Sequence, residues 1–264
     1  MEKQVTFIVK ATNDVNRVMR CLASIDRQNN KNYKVIALCS LKEAKLLIEE
    51  QYPHFEVKKI KKAVSFVENL NKVLPTLETE YCVIVNYDEI LSPDAVDLIL
   101  SSDSDVVLFN ISSLTKDKFS PRYSTSSEWS VAEYMKEGYT LWNNAIKSEI
   151  IVKHNITLED LTYCSQSIFL LLSYSFAESF TVFNTVIAYR EKLMKKKHIE
   201  YKEFEKHLKA LKAIVKRFTK KKMFDEKECV VTDFALSQLG EVYKEESFFR
   251  RLRKKRLLKT MIGI

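Results

Sequence analysis

The feature that most constrains the fold is the alternation of short apolar runs with segments of helical periodicity, up to about residue 111. Runs of three to six residues read as strands, and the segments between them repeat apolar residues at spacings of three and four. Strands that alternate with helices predict a mainly parallel sheet with helices on both faces. The predicted strands are residues 5–9, 33–38, 55–57, 81–85 and 106–111. The predicted helices are residues 15–25, 43–50 and 64–77.

One predicted strand runs directly into a turn that carries an amide and two carboxylates. Residues 81–85 are followed by Asn86, Asp88 and Glu89, and Ser92-Pro93-Asp94 then opens a helix. In sheets of this class, ligands bind beyond the carboxyl ends of the strands, so these side chains are candidates for a ligand site. Asn and Asp are also ordinary turn residues, and a solvated turn without a ligand is the alternative.

The charge is divided unevenly along the chain. Residues 190–264 hold 23 Lys and Arg against 11 Asp and Glu, a net charge of about +12 within a whole-chain charge of +8. Residues 1–189 are therefore slightly acidic, at about −4. This predicts a globular body, residues 1–192, and a basic C-terminal region, residues 193–264. The C-terminal region is predicted to be helical because apolar residues recur at spacings of three and four from Phe204 to Phe218.

The cysteines and histidines exclude two classes of site. Five scattered cysteines with no C-x-x-C pair favour buried thiols in a cytoplasmic protein. Four histidines without i,i+4 spacing give no zinc pattern. We also expect no signal peptide and no membrane span, because no apolar run approaches the length of a bilayer. Nucleic acid is not an expected partner, since no nucleic-acid-binding motif is present.

Five motifs follow one another in the body. They are VTFIVKATNDVNRVMRCLASIDRQNNKNYKVIAL from residue 5, VIVNYDEILSPDAV from residue 83, LWNNAIKSEII at 141–151, TLEDLTY at 157–163 and VIAYR at 186–190. In this order and spacing they resemble the family 2 glycosyltransferases of the GT-A fold, over roughly residues 3–192. The resemblance implies a Rossmann-like, mainly parallel sheet flanked by helices, with a C-terminal helical extension. It also implies transfer of a sugar from a nucleotide-sugar donor to a hydroxyl of a glycan or lipid-linked acceptor, as in polysaccharide biosynthesis at the cell envelope.

On the donor side, the resemblance implies a divalent cation, Mn²⁺ or Mg²⁺. Asp88 matches the second acid of the family's D-x-D segment and is the expected metal ligand, with Glu89 as a second candidate. Such a cation would offset the charge that grows on the diphosphate as the glycosidic bond breaks, and hard oxygen ligands suit it. The residues expected to bind the donor are Asn13, Ser40, Asn69, Asn86 and Asp88.

On the acceptor side, the resemblance makes Asp160 the general base. A carboxylate within hydrogen-bond reach can take the proton of the attacking hydroxyl. Glu159 is expected to orient this carboxylate or to bind the acceptor. A single base with in-line attack would invert the configuration at the sugar. The alternative is an acidic pair that only stabilises the N-terminus of a helix.

Several residues depart from the family pattern, and all of them lie on the donor side. Asn86 replaces the first acid of D-x-D, Cys39-Ser40 stands where the family has an Asp for the nucleobase, and Glu68-Asn69 stands where it has Arg-Asn. The chain has only three glycines, so few positions let a backbone approach a phosphate closely. The alternative function is therefore a non-catalytic glycosyltransferase-like protein that binds glycan or partners an active homologue. A basic interaction protein with an incidental α/β body is a third hypothesis.

The C-terminal 18 residues, 247–264, combine positive charge with apolar residues. RRLRKKR at 250–256 holds six positive charges in seven positions, and Phe248, Phe249 and Leu258 flank it. This pattern is typical of a helix that lies on an anionic membrane surface. It therefore predicts a peripheral location on the inner face of the cell membrane. A helix docked on the body, with its arginines reaching outward, is the alternative.

Overall fold

The computed structural model describes residues 3–12, 14–60, 65–115, 118–121, 143–158 and 165–191. Nine strands of this described part form one sheet. The strands are β1 Val5–Ala11, β2 Tyr33–Cys39, β3 Glu56–Lys59, β4 Tyr81–Asn86, β5 Glu89–Leu91, β6 Val106–Thr115, β7 Lys118–Pro121, β8 Asn144–Lys147 and β9 Phe180–Glu191. The helices are α1 Val15–Asp26, α2 Lys42–Gln51, α3 Phe66–Val73, α4 Ala95–Leu100, α5 Ser148–Lys153 and α6 Ser165–Phe176.

The sheet is mixed, and its longer ladders are parallel. The strand order is β3-β2-β1-β4-β8-β6-β9-β5, with β7 paired to β6. β3, β2, β1 and β4 run parallel, and so do β6 and β9. The short strand β8 runs antiparallel to both β4 and β6, and β5 runs antiparallel to β9. The mainly parallel α/β sheet predicted from the sequence is confirmed.

The central strands β1 and β4 are buried on both faces. Every residue from Val5 to Val9 is at most 2% exposed, and Tyr81 to Val85 are at most 6% exposed. This burial explains why both strands read as continuous apolar runs rather than as alternating patterns. Their carboxyl ends lie side by side, with Lys10 opposite Asn86 in the parallel register. The edge beyond these ends is where a ligand site is expected.

Helix α1 packs one apolar stripe into the core. The side chain of Asp14 caps the helix by accepting a hydrogen bond from the Arg17 N–H at 3.2 Å. The stripe is fully buried and consists of Val18, Cys21, Leu22 and Ile25. The preceding residue, Asn13, lies outside the described residues.

Helix α3 is shorter than the predicted helix over residues 64–77. The hydroxyl of Ser65 caps it by accepting from the Glu68 N–H at 3.1 Å. After Val73 the chain continues as one 3₁₀ turn, Leu74–Thr76. Pro75 lies in that turn and has no N–H to donate to an α-helical ladder, which explains the early end of α3.

Contacts within the chain divide it into two units, Met1–Asp160 with Gln166–Leu193, and Leu161–Ser165 with Met194–Ile264. Apart from Ser165, the described residues belong to the first unit. The predicted C-terminal region 193–264 lies outside them, so its helical character and its boundary stay predictions. In the described part, Cys21, Cys39 and Cys82 are buried free thiols. No helix described here is long and apolar enough to cross a membrane.

Candidate active site

The turn between β4 and β5 is closed by Glu89. Its carboxylate accepts two hydrogen bonds from Asn86, one from the backbone N–H at 2.8 Å and one from the side-chain amide at 3.1 Å. Glu89 is fully buried. Burial raises the pKa of Glu89 to about 8, against the lowering effect of the Asn86 hydrogen bonds and the Arg190 charge. In this arrangement Glu89 fixes the turn, and its role as a metal ligand stays a prediction.

Helix α1 and the residues just after it hold the segment that follows this turn. The Ser24 hydroxyl accepts from the Leu91 N–H at 3.0 Å. The side-chain amide of Gln28, only 1% exposed, donates to the Ser92 carbonyl at 2.7 Å and accepts from the Val96 N–H at 3.0 Å. Buried polar groups satisfied in this way hold one geometry, because breaking them leaves unpaired donors and acceptors. Sequence analysis did not single out Ser24, on α1, or Gln28, which lies two residues beyond the end of α1.

Asp88 lies at the tip of this turn and points into the protein. Its side chain is 3% exposed, and Oδ2 accepts a hydrogen bond from Nε of Arg190 on β9 at 3.0 Å. Its other oxygen, Oδ1, is buried and has no hydrogen-bond partner among the described residues. A buried carboxylate oxygen without a partner is costly and marks a position where a ligand or ion would be stabilising.

Lys10 lies at the same edge, on β1. Its ammonium is 4.9 Å from the centroid of the Phe66 ring, a cation–π contact. Burial lowers the pKa of Lys10, while the charge of Asp88 raises it and that of Arg190 lowers it. The site therefore combines two cations with the carboxylate of Asp88.

The predicted donor residue Ser40 joins the ends of two strands. Its hydroxyl donates to the Thr12 carbonyl at 3.2 Å, and its N–H donates to the Ala11 carbonyl at 3.4 Å. The Thr12 hydroxyl is buried and has no partner in the described part of the chain. Ser40 thus lies at the carboxyl edge of the sheet, beside a polar atom that is unsatisfied among the described residues, and its role in donor binding stays a prediction.

The predicted donor residue Asn69 bonds within its own helix. Its side-chain amide donates to the Ser65 carbonyl at 2.9 Å, one turn back in α3. Asn13, the other donor residue expected on this side, lies outside the described residues. Donor binding by either residue stays a prediction.

Asn71, two positions further along α3, makes the long-range contact. Its amide donates to the Leu158 carbonyl at 2.8 Å, and its Oδ1 accepts from the Leu158 N–H at 2.9 Å. Leu158 immediately precedes Glu159 and Asp160, which lie outside the described residues. Asn71 therefore fixes the backbone from which the predicted acidic pair begins. Sequence analysis missed this residue, since the motif comparison placed the family's Asn at position 69.

The residues present fit a cation that is ligated mainly by a substrate. Among the described residues, no three His, Cys, Asp or Glu side chains are grouped so that they could hold a metal ion. Mg²⁺ in particular is often held by one or two carboxylates together with substrate phosphates and water. The unpartnered Oδ1 of Asp88 supplies one such carboxylate oxygen.

Comparison with solved structures identifies the architecture. The chain is similar to S. aureus TarS residues 1–349 in complex with UDP-GlcNAc, with a TM-score of 0.71 and 15% identity over 92% of this chain and 73% of that one. For the same protein in complex with UDP, the TM-score is 0.73 over 98% and 80% of the two chains. This chain has the GT-A glycosyltransferase fold.

A second likeness is more distant. The mannosyltransferase PcManGT from Pyrobaculum calidifontis, in complex with GDP-Man and Mn²⁺, has a TM-score of 0.51 and 13% identity over 98% of this chain and 81% of that one. No protein-family model and no curated protein sequence matches the chain. At these identities the likeness establishes the GT-A fold and not the function.

Proposed function

We propose that this GT-A protein is a glycosyltransferase that moves a sugar from a nucleotide-sugar donor to a hydroxyl of a glycan or lipid-linked acceptor. We further propose that Asp88 holds a divalent cation, that Asp160 is the base and that the anomeric configuration is inverted. The support for a nucleotide-sugar donor is the fold, because its solved likenesses were determined with UDP-GlcNAc, UDP and GDP-Man.

One observation carries the proposal, the buried Oδ1 of Asp88 that lacks a partner among the described residues. It lies beyond the carboxyl end of β4, where sheets of this class bind ligands. A solvated turn residue, the alternative reading of the sequence, would be exposed, whereas the Asp88 side chain is 3% exposed. A ligand that brings positive charge to Oδ1 explains why the acid is retained there.

In this proposal, one set of residues binds the donor and another acts on the acceptor. Asp88 would hold Mn²⁺ or Mg²⁺, which offsets negative charge on the diphosphate leaving group. Asn13, Ser40, Asn69 and Asn86 would face the donor from the carboxyl edge of the sheet. Asp160 would accept the proton of the acceptor hydroxyl, with Glu159 beside it to orient the carboxylate or bind the acceptor. In-line attack with this single base gives inversion.

The competing function is a non-catalytic protein of the same fold that binds glycan or partners an active homologue. The observation that favours it is Asn86, which replaces an acid of the family pattern and donates its amide to Glu89. A neutral amide brings no charge to a cation, so the donor side is weaker than in the family pattern.

The two functions are separated by a binding panel followed by turnover. The full chain is titrated with UDP, GDP, ADP and their sugar conjugates, with and without Mn²⁺, and thermal unfolding is followed. A ligand that binds only the native state increases the free energy of unfolding, by about 2.7 kcal/mol at 100 times its Kd. This stabilisation raises the melting temperature. Mn²⁺-dependent stabilisation by one nucleotide is expected. A chain that responds to none of them does not have the proposed donor.

Turnover is then measured with the nucleotide-sugar that binds. Asp160→Asn keeps the size of the side chain but cannot accept the proton, so turnover should fall by about 10² to 10⁴ while donor affinity changes little. Glu159→Gln serves as the comparison for a neighbouring carboxylate with a supporting role. Normal turnover in Asp160→Asn would assign the base to another group, and zero turnover in the native chain would favour the non-catalytic protein.

A further inference from the structure

The described part of the donor edge contains a cation, Lys10, that forms no salt bridge there although Asp88 is within electrostatic reach. Lys10 forms no salt bridge with any described residue, and its ammonium lies over the Phe66 ring, 4.9 Å from the ring centroid. The other cation, Arg190, donates to Asp88. Desolvation at Lys10 disfavours its charge and lowers its pKa, so retaining a lysine here has a cost in the ligand-free protein.

The position of Lys10 in the sheet explains what it could reach. It is the penultimate residue of β1, between the carboxyl ends of β2 and β4, and its register partner is Asn86 on β4. In a parallel pair, residues in register project on the same face of the sheet. Lys10 therefore lies beside the turn that carries Asp88, on the face where Asn86 also projects.

The Lys10 ammonium would be stabilised by an anion, and Oδ1 of Asp88 would be stabilised by a cation or a hydrogen-bond donor. Among the described residues, Lys10 forms no salt bridge and Oδ1 of Asp88 has no hydrogen-bond donor, although the two charges are within electrostatic reach of each other. A diphosphate that carries a divalent cation provides both, since its oxygens can accept from the ammonium and its metal can bind the carboxylate.

The low glycine content of the chain favours phosphate binding by a side chain rather than by the backbone. Backbone cradles for phosphate depend on glycine, because a Cβ blocks close approach, and this chain has three glycines, none of them within residues 1–137. A lysine on a strand end offers a point charge to a phosphate without requiring a glycine.

We propose that Lys10 is a binding residue for the diphosphate of the donor, held in place by the Phe66 ring and acting beside the cation on Asp88. This inference rests on the proposed function and deepens it, because it assigns the contact that compensates for the weakened donor side. Lys10 binds the diphosphate whichever nucleoside and sugar it carries.

The test measures binding of two probes, inorganic pyrophosphate and UDP, by calorimetry on the full chain with Mn²⁺ present. Lys10→Met keeps the apolar stem against Phe66 and removes the charge. The substitution should lower the affinity for both probes by about 10- to 100-fold, as expected for loss of a charge-assisted hydrogen bond. Lys10→Arg restores the charge and should recover most of the affinity. Lys34→Met, which removes an exposed lysine at the opposite end of β2, is the matched control and should bind as the native chain does.

The outcomes test the role of Lys10 separately from the proposed nucleotide-sugar donor. Pyrophosphate affinity in Lys10→Met within twofold of native overturns the role of Lys10, and so does a native chain that binds neither probe. If the native chain binds pyrophosphate but no nucleoside diphosphate, and Lys10→Met weakens it, the role of Lys10 stands and the proposed donor is wrong. Thermal unfolding of each variant identifies a loss of fold, in which case Lys10→Arg alone decides.

Discussion

Arg190 and Asp88 are joined by a hydrogen bond of 3.0 Å between Nε and Oδ2, across 102 residues of sequence. Both side chains are largely buried, at 16% and 3% exposure. The guanidinium neutralises the carboxylate from one side and leaves Oδ1 for a ligand on the other. The contact also ties the turn after β4 to the last described strand, whose Arg190 lies opposite Glu89 in the β5–β9 ladder.

We predict that Asp88→Ala abolishes Mn²⁺-dependent nucleotide binding. The substitution removes the proposed ligand oxygen and also deprives Arg190 of this partner, so stability should fall by about 1–3 kcal/mol without loss of the fold. Calorimetry with UDP and Mn²⁺ measures the first effect, and urea unfolding in EDTA measures the second. Glu50→Ala, at an exposed carboxylate of α2, should change neither. Unaltered Mn²⁺ affinity in Asp88→Ala would remove Asp88 from the metal site.

The second prediction concerns Asn86→Asp, which restores the missing acid. Mn²⁺ should bind more tightly, because a second carboxylate joins Asp88. In EDTA above pH 8, however, where Glu89 is ionised, the new carboxylate replaces an amide that donates to Glu89 at 3.1 Å, and stability should fall by about 1–3 kcal/mol. Adding Glu89→Gln supplies a donor and should restore much of that stability. A variant that is as stable as the native chain in EDTA would argue against the Asn86–Glu89 contact.

The third prediction concerns Asn71 as a positioning residue. Asn71→Ala removes both hydrogen bonds to Leu158, each worth about 1 kcal/mol, so the Leu158 amide should exchange at least tenfold faster. Turnover should fall while UDP affinity is retained, because the acidic pair is held less well. Hydrogen exchange by mass spectrometry and a kcat-against-KM comparison measure the two effects. Lys72→Ala, on an exposed part of the same helix, is the control, and equal exchange in both variants would contradict the role.

The fourth prediction concerns acid stability through Asp105. Burial raises the pKa of its carboxyl, but the Glu178 N–H and the Lys147 ammonium outweigh burial and hold the pKa below its usual value. Ionised Asp105 therefore stabilises the fold above its unfolded pKa of about 3.9, and this contribution disappears as the pH falls through the folded value.

Asp105→Asn should accordingly lower the free energy of unfolding by about 1 kcal/mol at pH 7 and change it little below the folded pKa. Urea unfolding across this pH range measures the difference. For Glu149→Gln, at an exposed position of α5, the difference in free energy of unfolding from the native chain should not change with pH. An Asp105→Asn penalty that grows as the pH falls would have the wrong sign for this mechanism.

The fifth prediction concerns residues 247–264. Near an anionic surface each Lys or Arg contributes about 1 kcal/mol, screened by salt. The full chain should sediment with anionic liposomes at low salt, be released at high salt, and stay soluble when residues 247–264 are removed. If these residues form a docked helix instead, truncation would lower the melting temperature or cause aggregation, and there would be no liposome binding to lose.

The sequence predicts the first half of the sheet well because its strands are buried on both faces. β1, β2 and β4 are continuous apolar runs, and the α1 stripe has a clear period and a capping Asp14. β5 and β8, with three and four residues, carry no comparable local signal. Their pairing depends on β9, β4 and β6, which are distant in sequence, so local patterns could not locate them.

In the candidate site, too, local sequence patterns do not reveal contacts that depend on tertiary packing. Asp88 was predicted from its place after a strand, but its partner Arg190 is fixed by tertiary pairing and was found only in the structure. Whether Glu89 binds a metal or closes the turn depends on burial, which a turn sequence does not reveal. Asn69 and Asn71 lie two positions apart on α3, and only the packing against Leu158 distinguishes them.

The position of β9 in the chain has a consequence for biosynthesis. β5 pairs with β9 alone among the described strands, so the turn that carries Asp88 gains its tether only after residue 190 has left the ribosome. The four parallel strands β3, β2, β1 and β4 all lie within residues 5–86, so they leave the ribosome well before β9 does. A nascent chain halted before β9 would keep the Asp88 carboxylate hydrated. The contact that buries Asp88 therefore depends on the last described strand, and a product truncated before β9 would lack the Arg190 partner of Asp88.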